Sequence, residues 1–347
     1  ESNFMRIGVL TGGGDCPGLN AAIRSIYYRA KEKGWETIGI HMGWKGMLPG
    51  GKSKEILESE IEGIASIGGT YLGSSRTNPY KLENGPKQVA DAFKEHEIDA
   101  LVAIGGEDTL GVAGKLHSEF KLPIVGVPKT VDHDIMGTDY TIGFDTAVNI
   151  AADSIDRLHT TARSHNRTFI VEIMGRHAGW LTLRTGIAGG AHIILIPEKP
   201  YDINKVCDAI KKREKEGKYT LLAISEGVEP PKKLTEKHDD FGHVGLTNRG
   251  MAQAFKEVID ENCKMDCRVM VLGHLLRGGS PTAYDRIMAS KVGAAAVDFI
   301  KEKKFGMMAA IQGGQIAPFP LKDVVGKYKT VSDQEYNLLK SLFEGDI

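Results

Sequence analysis

Within seven residues, Pro128-Lys129-Thr130-Val131-Asp132-His133-Asp134 gathers an amine, a hydroxyl, two carboxylates and an imidazole. In an extended stretch alternate residues point the same way, so Thr130, Asp132 and Asp134 could converge on one side. A hydroxyl and two carboxylates placed like that suit general-base and metal work. A polar turn after a strand is the plainer reading, but a turn does not need Lys, Asp, His and Asp packed together.

Other glycine-rich junctions carry groups of the same kind. Thr11-Gly12-Gly13-Gly14-Asp15-Cys16-Pro17 follows an apolar run and opens a helical pattern. Glycines let backbone N–H groups approach a phosphate, and a helix N-terminus adds positive potential; a tight turn uses the same residues. The run is neither GxGxxG nor a P-loop, so neither nucleotide fingerprint applies. Gly105-Gly106-Glu107-Asp108-Thr109 also enters a helix. Its carboxylates suit a Mg²⁺ held together with phosphate oxygens, or simply the helix N-terminus, where acidic residues are favoured anyway.

Arg167 opens a strand that ends in Met174-Gly175-Arg176-His177-Ala178-Gly179, and Glu226 closes another. Arg268 opens a strand running into Gly273-His274-Leu275-Leu276-Arg277-Gly278-Gly279. Single arginines are mostly solvated charges. Several beside glycines at strand ends suit phosphate oxygens, and a carboxylate such as Glu226 can hold sugar hydroxyls.

These residues need a scaffold, and the chain is long enough for one. It has 347 residues, 41% hydrophobic and 26% charged, which is ordinary for a globular protein and leaves room for two lobes. A net charge of −1 argues against a nucleic-acid or membrane-surface binder, so an anionic substrate needs a local basic cluster. No apolar run approaches the roughly 20 residues that span a bilayer, and no signal-peptide pattern precedes the first strand; Met5 reads as a natural start. Four cysteines, Cys16, Cys207, Cys263 and Cys267, suit reduced thiols in the cytoplasm better than a disulfide framework. The spacing of Cys263 and Cys267 is wrong for a zinc knuckle or a CxxC pair.

Nine short Val/Ile/Leu-rich runs lack polar alternation, as parallel strands covered on both faces do: 6–10, 37–41, 100–104, 123–127, 168–173, 192–197, 219–225, 268–272 and 308–311. Helical patterns lie between them at 17–33, 86–97, 146–162, 203–216, 250–261 and 287–303, and Ser332 with Glu335 forms a capping box before a last helix. Such alternation predicts an α/β fold with mostly parallel sheets, whose ligands gather at the carboxyl ends of the strands.

Seven ordered segments, GVLTGGGDCPGLNAAIR, GGTYLGSSR, IGGEDT, PKTVDHD, EIMGRHAG, ISEG and GHLLRGGSPTAYDR, make the chain resemble the phosphofructokinases over nearly its whole length. The resemblance implies two similar Rossmann-like lobes with the active site in the cleft between them, in a homo-oligomer, dimer or tetramer. It implies a phosphoryl-donor lobe of residues 1–143 and 276–326, and a fructose 6-phosphate lobe of residues 144–275 and 327–347. Asp132 would be the base for the sugar 1-hydroxyl, Thr130 and Asp134 would place that hydroxyl and the metal, and Glu107 would hold Mg²⁺. Gly14 would line the donor, with Arg76 near the transferred group. Met174, Gly175, Arg176, Glu226, His274 and Arg277 would contact the sugar phosphate, and Arg167 and Arg268 would reach it from a neighbouring subunit. His133 departs from the family, which usually has Asn there.

Asp108 and Lys129 bear on the donor. Both are residues typical of the family's pyrophosphate users, where ATP users commonly have glycine. A carboxylate at Asp108 would repel a nucleotide α-phosphate; two unit charges 4 Å apart interact by roughly 4 kcal/mol at an effective dielectric of 20. Lys129 adds positive charge for a donor without adenosine. Alternatively, Asp108 caps a helix and Lys129 reaches solvent. The implied reaction is reversible, glycolytic transfer from pyrophosphate to fructose 6-phosphate, with an ATP-dependent 6-phosphofructokinase as the alternative. An oxidoreductase is disfavoured by the missing GxGxxG, and a non-catalytic sensor by the presence of Asp132. The resemblance further implies a degraded nucleotide-effector pocket: Arg24 is kept, but Tyr28 and His159 replace expected arginines.

Overall fold

The computed structural model describes residues 4–232 and 250–347. Numbered along the chain, the strands are β1 Arg6–Thr11, β2 Glu36–Ile40, β3 Ser53–Glu55, β4 Ala100–Gly105, β5 Ile124–Pro128, β6 Thr168–Ile173, β7 Ile193–Leu195, β8 Thr220–Ser225, β9 Cys267–Val271, β10 Met307–Gln312 and β11 Gln315–Pro320. The helices are α1 Leu19–Glu32, α2 Glu58–Ile61, α3 Gly85–Glu95, α4 Glu107–Phe120, α5 Phe144–His165, α6 Trp180–Ala188, α7 Ile203–Lys215, α8 Met251–Cys263, α9 Ala283–Lys301 and α10 Asp333–Leu339. The fold is α/β, in two compact units.

The first unit comprises residues 4–130, 135–146 and 277–328. Its seven-stranded sheet has the order β11-β10-β5-β4-β1-β2-β3. The inner strands are parallel; β3 and β11 are antiparallel edges. Leu10, Ile40, Leu101 and Leu110 pack with Trp44 in its core. Burial on both faces explains the unbroken apolar runs of β1, β4 and β5. The second unit comprises residues 131–134, 147–276 apart from the undescribed 233–249, and 329–347. Among the described residues its four strands, all parallel, run β7-β8-β6-β9, over a core that includes Ile170, Val206, Leu222 and Phe255.

All nine expected strands are present, with ends shifted by at most two residues. The edges β3 and β11 were not foreseen. Ser53-Lys54-Glu55 has no apolar signal, and β11 carries Pro318 and Pro320, which read as breakers although prolines are tolerated on an edge. The signal that could have found β11 is Gly313-Gly314, whose φ values of 56° and 80° make the two-residue hairpin to β10. Helix α1 starts at Leu19 rather than Pro17, because Gly18 takes a left-handed φ of 108°. Helix α6 escaped because Leu181, Thr182, Leu183 and Thr185 are all buried, which erases helical periodicity.

The expectation of four reduced thiols is corrected. Cys207 of α7 and Cys263 of α8 form a disulfide, 56 residues apart in sequence with Cα atoms 5.7 Å apart. Packing of the two helices brings them together, which sequence spacing cannot reveal. Cys16 and Cys267 are free and buried.

Candidate functional site

In the first unit, β1, β4 and β5 are neighbours in one parallel sheet, so the loops after their carboxyl ends lie side by side. Backbone bonds knit these loops together: Gly12 N–H donates to Ile104 O (2.9 Å), Gly13 N–H to Ser75 O (3.0 Å) and Lys129 N–H to Gly105 O (2.9 Å). Lys129 is 4% exposed. Its Nζ donates to Gly14 O at 2.5 Å, so the ammonium points into the glycine loop rather than to solvent. Arg277 also reaches this loop. A Cβ built on Gly14 would stand 2.6 Å from its Cζ, so the guanidinium needs a glycine beneath it.

Beside them opens a pocket of about 530 Å³ lined by Gly13, Gly14, Asp15, Thr70, Ser74, Ser75 and Arg76. The structure thus brings Gly14, Lys129, Arg277 and Arg76 to one loop cluster. Thr70, Ser74 and Ser75 were missed as lining residues, although they stand in the segment that singled out Arg76. Glu107 and Asp108 occupy the first turn of α4, where Glu107 Oε1 accepts Gly326 N–H (2.7 Å).

Thr130 closes the first unit's stretch of chain, and Val131–Asp134 belongs to the second. The expectation that residues 130–134 form one regular extended stretch is corrected. His133 has a left-handed φ of 57°, which breaks the alternation; Asp134 is buried and Asp132 half-buried. His133 Nε2 bonds Lys329 Nζ at 2.9 Å. Burial, then the nearby Lys329 and Arg184, push the His133 imidazole down to about 3.

In the second unit the carboxyl ends of β6 and β8 are joined. Glu226 N–H donates to Ile173 O (2.9 Å), Gly227 N–H to Gly175 O (3.0 Å) and Ser225 Oγ to Gly175 O (2.5 Å). Met174 and Glu226 are buried. The Arg176 Nε is buried without a hydrogen-bond partner among the described residues, the state of a donor that an anionic ligand would satisfy. His274 is exposed in the turn after β9, the other neighbour of β6. Arg167 precedes β6, and Arg268 pairs in register with Phe169 near the start of β9, ion-paired to Asp266. Both arginines lie at the amino-terminal edge of this sheet, a strand length (roughly 20 Å at about 3.3 Å per residue) from Met174 and Glu226. Within one chain they do not join the other sugar-phosphate candidates.

The phosphofructokinase family model matches residues 6–300. The chain belongs to the phosphofructokinase family. This phosphofructokinase is therefore a phosphotransferase. It is 46% identical to the pyrophosphate–fructose 6-phosphate 1-phosphotransferase of Amycolatopsis methanolica, over 98% of this chain and 100% of that protein. It is also 42% identical to the ATP-dependent 6-phosphofructokinase of Mycobacterium leprae, again over 98% and 100%. A crystal structure of Pichia pastoris phosphofructokinase in the T-state superposes with a TM-score of 0.80 and 29% identity, covering 99% of this chain. This chain spans 37% of the length of that yeast one.

Proposed function

We propose that this phosphofructokinase transfers a phosphoryl group from pyrophosphate to the 1-hydroxyl of fructose 6-phosphate, reversibly and with Mg²⁺, giving fructose 1,6-bisphosphate in glycolysis. The observation that carries the donor assignment is the buried Lys129 ammonium turned onto Gly14. There it offsets the charge of a compact donor. Asp108, in the first turn of α4, would repel a nucleotide α-phosphate. The alternative, ATP, is favoured by the Mycobacterium leprae relative's name. Initial rates with each donor, fructose 6-phosphate and Mg²⁺ decide between them; turnover with pyrophosphate alone supports the proposal, and preference for ATP overturns it.

Phosphoryl transfer needs in-line placement and neutralisation of charge, with little covalent help. Asp132 takes the proton from the 1-hydroxyl as it attacks, with Thr130 and Asp134 placing that hydroxyl. Gly14, Lys129 and Arg76 hold the donor. Arg277, lying over Gly14, is suited to the moving phosphoryl group as well as to the sugar phosphate. Met174, Gly175, Arg176, Glu226 and His274 hold the sugar phosphate, and an Arg176 Nε without a partner among the described residues supports an anion there. We assign donor binding to the first unit and sugar-phosphate binding to the second.

Mg²⁺ prefers hard oxygen ligands and commonly binds one or two carboxylates together with substrate phosphates and water. Among the described residues no group of three or more His, Cys, Asp or Glu could cage a metal, so a carboxylate beside a phosphate loop is the donor set on offer. Glu107 fits it and would hold the ion. When bound, Mg²⁺ neutralises charge on the phosphates.

Arg167 and Arg268, a strand length from Glu226, would serve the 6-phosphate of a neighbouring subunit in a homo-oligomer, dimer or tetramer. Exposed Val271 (52%) and Leu275 (66%) at and beyond the end of the β9 edge strand support a second copy covering that side. A glycolytic role would place the enzyme in the cytoplasm; no helix among the described residues is long and apolar enough to cross a membrane.

A further inference from the structure

The residue between the two carboxylates of the base loop is held by a device that the reaction itself does not require. His133 is a non-glycine residue in the left-handed region, a conformation that persists only where its surroundings hold it. Its Nε2 lies 2.9 Å from Lys329 Nζ. A lysine ammonium only donates, so Nε2 accepts and the ring proton sits on Nδ1. The same lysine grips the loop a second time, its backbone N–H donating to Asp134 O at 2.8 Å. Lys329 is fixed in turn by Trp180, whose Nε1–H donates to Lys329 O at 2.8 Å. The Trp180 ring stands edge-on to His133 (centroids 5.9 Å apart, 87°) and 5.8 Å from Lys329 Nζ. Arg184, paired to Glu335 at 2.8 Å, also lies over that ring, 6.0 Å from its centroid.

We propose that Lys329 is a positioning residue for this phosphofructokinase: through His133 Nε2 and Asp134 O it fixes the turn that sets the Asp132 carboxylate for proton abstraction. The inference rests on the proposed reaction, in which Asp132 is the base. In this role Lys329 acts on the loop rather than on a substrate. Its loss lets His133 relax, so Asp132 is misplaced by a fraction of an ångström to an ångström, a displacement worth up to about 10²-fold in rate. Substrate affinity is set by other residues and stays.

The test is a double-mutant cycle of Lys329→Met and His133→Asn. Asparagine tolerates the left-handed backbone but is too short to reach Lys329. Lys329→Met alone is expected to lower kcat about 10- to 100-fold with both KM values within about threefold, and Lys329→Arg, which restores a donor, to recover part of it. In the His133→Asn background the same Lys329→Met change is expected to cost less than about threefold, because the partner is gone. Unchanged kcat in Lys329→Met overturns the proposal, as does an equal loss in both backgrounds. A ¹⁵N spectrum of histidine-labelled protein gives a readout independent of turnover: His133 Nε2 should carry no proton at neutral pH, and its signal should move in Lys329→Met. A protonated Nε2 overturns the proposal even if the enzyme is active. Wild type inactive with both donors sinks the reaction instead, and the positioning role with it, while the spectrum still decides whether the Lys329–His133 bond exists.

Discussion

Asp285, fully buried at the start of α9, accepts both the hydroxyl and the backbone N–H of Thr146, at 2.5 and 2.8 Å. Tyr140 OH (2.8 Å) and Gly143 N–H (3.1 Å) complete four donors around one carboxylate. Burial raises its pKa while these donors oppose the rise. Asp285 is therefore the hub that ties the 140–146 segment to α9. Asp285→Ala leaves several buried donors unmatched and is expected to destabilise the protein by about 3–5 kcal/mol. Asp285→Asn turns an amide N–H onto existing donors and should also destabilise. Thermal melting checks both; an Asp285→Asn protein as stable as wild type would remove the hub role.

With Asp132 as the proposed base, Asp132→Asn is expected to lower kcat by about 10²–10⁴-fold with KM for fructose 6-phosphate little changed, because a base acts in the transition state. Steady-state kinetics on folded, purified protein measures this. Near wild-type kcat would move the base elsewhere.

Acid should weaken the second unit through His192. Its Nδ1 accepts Leu221 N–H at 2.9 Å. Burial, then Arg213 and His159, push its pKa down to about 4 from an ordinary value near 6.5. Between those pH values the unfolded chain binds the proton and the folded one does not, so stability is present above about 6.5 and is lost as pH falls towards 4. The neighbouring His159 is bound to Tyr219 OH and Gly189 O (2.8 and 2.6 Å). His192→Asn keeps an acceptor but cannot titrate. Urea midpoints at pH 7 and pH 5 should therefore differ less in His192→Asn than in wild type, with His133 accounting for part of what remains; equal drops would exclude His192 as an acid-sensitive group.

The Cys207–Cys263 bond closes a loop of 56 residues, a constraint on the unfolded chain worth about 4 kcal/mol in the chain-entropy model. Thiol titration of protein denatured without reductant should count two thiols, Cys16 and Cys267. Four would contradict the bond.

Much of the fold was legible because parallel strands buried on both faces leave unbroken apolar runs, and β1, β4, β5, β6 and β8 are runs of that kind. The glycine loops were legible for a similar reason: close backbone approach, as of Arg277 to Gly14, leaves a residue type behind. What could not be read depends on packing between distant residues. Lys329 and Trp180 carry no motif, yet they hold His133 in the conformation that breaks the expected alternation of Thr130, Asp132 and Asp134. The meeting of Cys207 with Cys263, and of His159 with His192 and Tyr219, likewise comes from elements far apart in the chain.

In the proposed reaction pyrophosphate is the donor because Lys129 would supply charge at the Gly14 loop and Asp108 would repel a nucleotide. The most direct measurement is kcat/KM for pyrophosphate and for ATP in wild type, Asp108→Gly, Lys129→Gly and the double variant. Wild type should prefer pyrophosphate; Asp108→Gly should admit ATP, and Lys129→Gly should weaken pyrophosphate use. The double change should shift preference by more than either single one, since charges in one cluster couple. Wild-type preference for ATP, or no gain in ATP use on Asp108→Gly, would contradict the account.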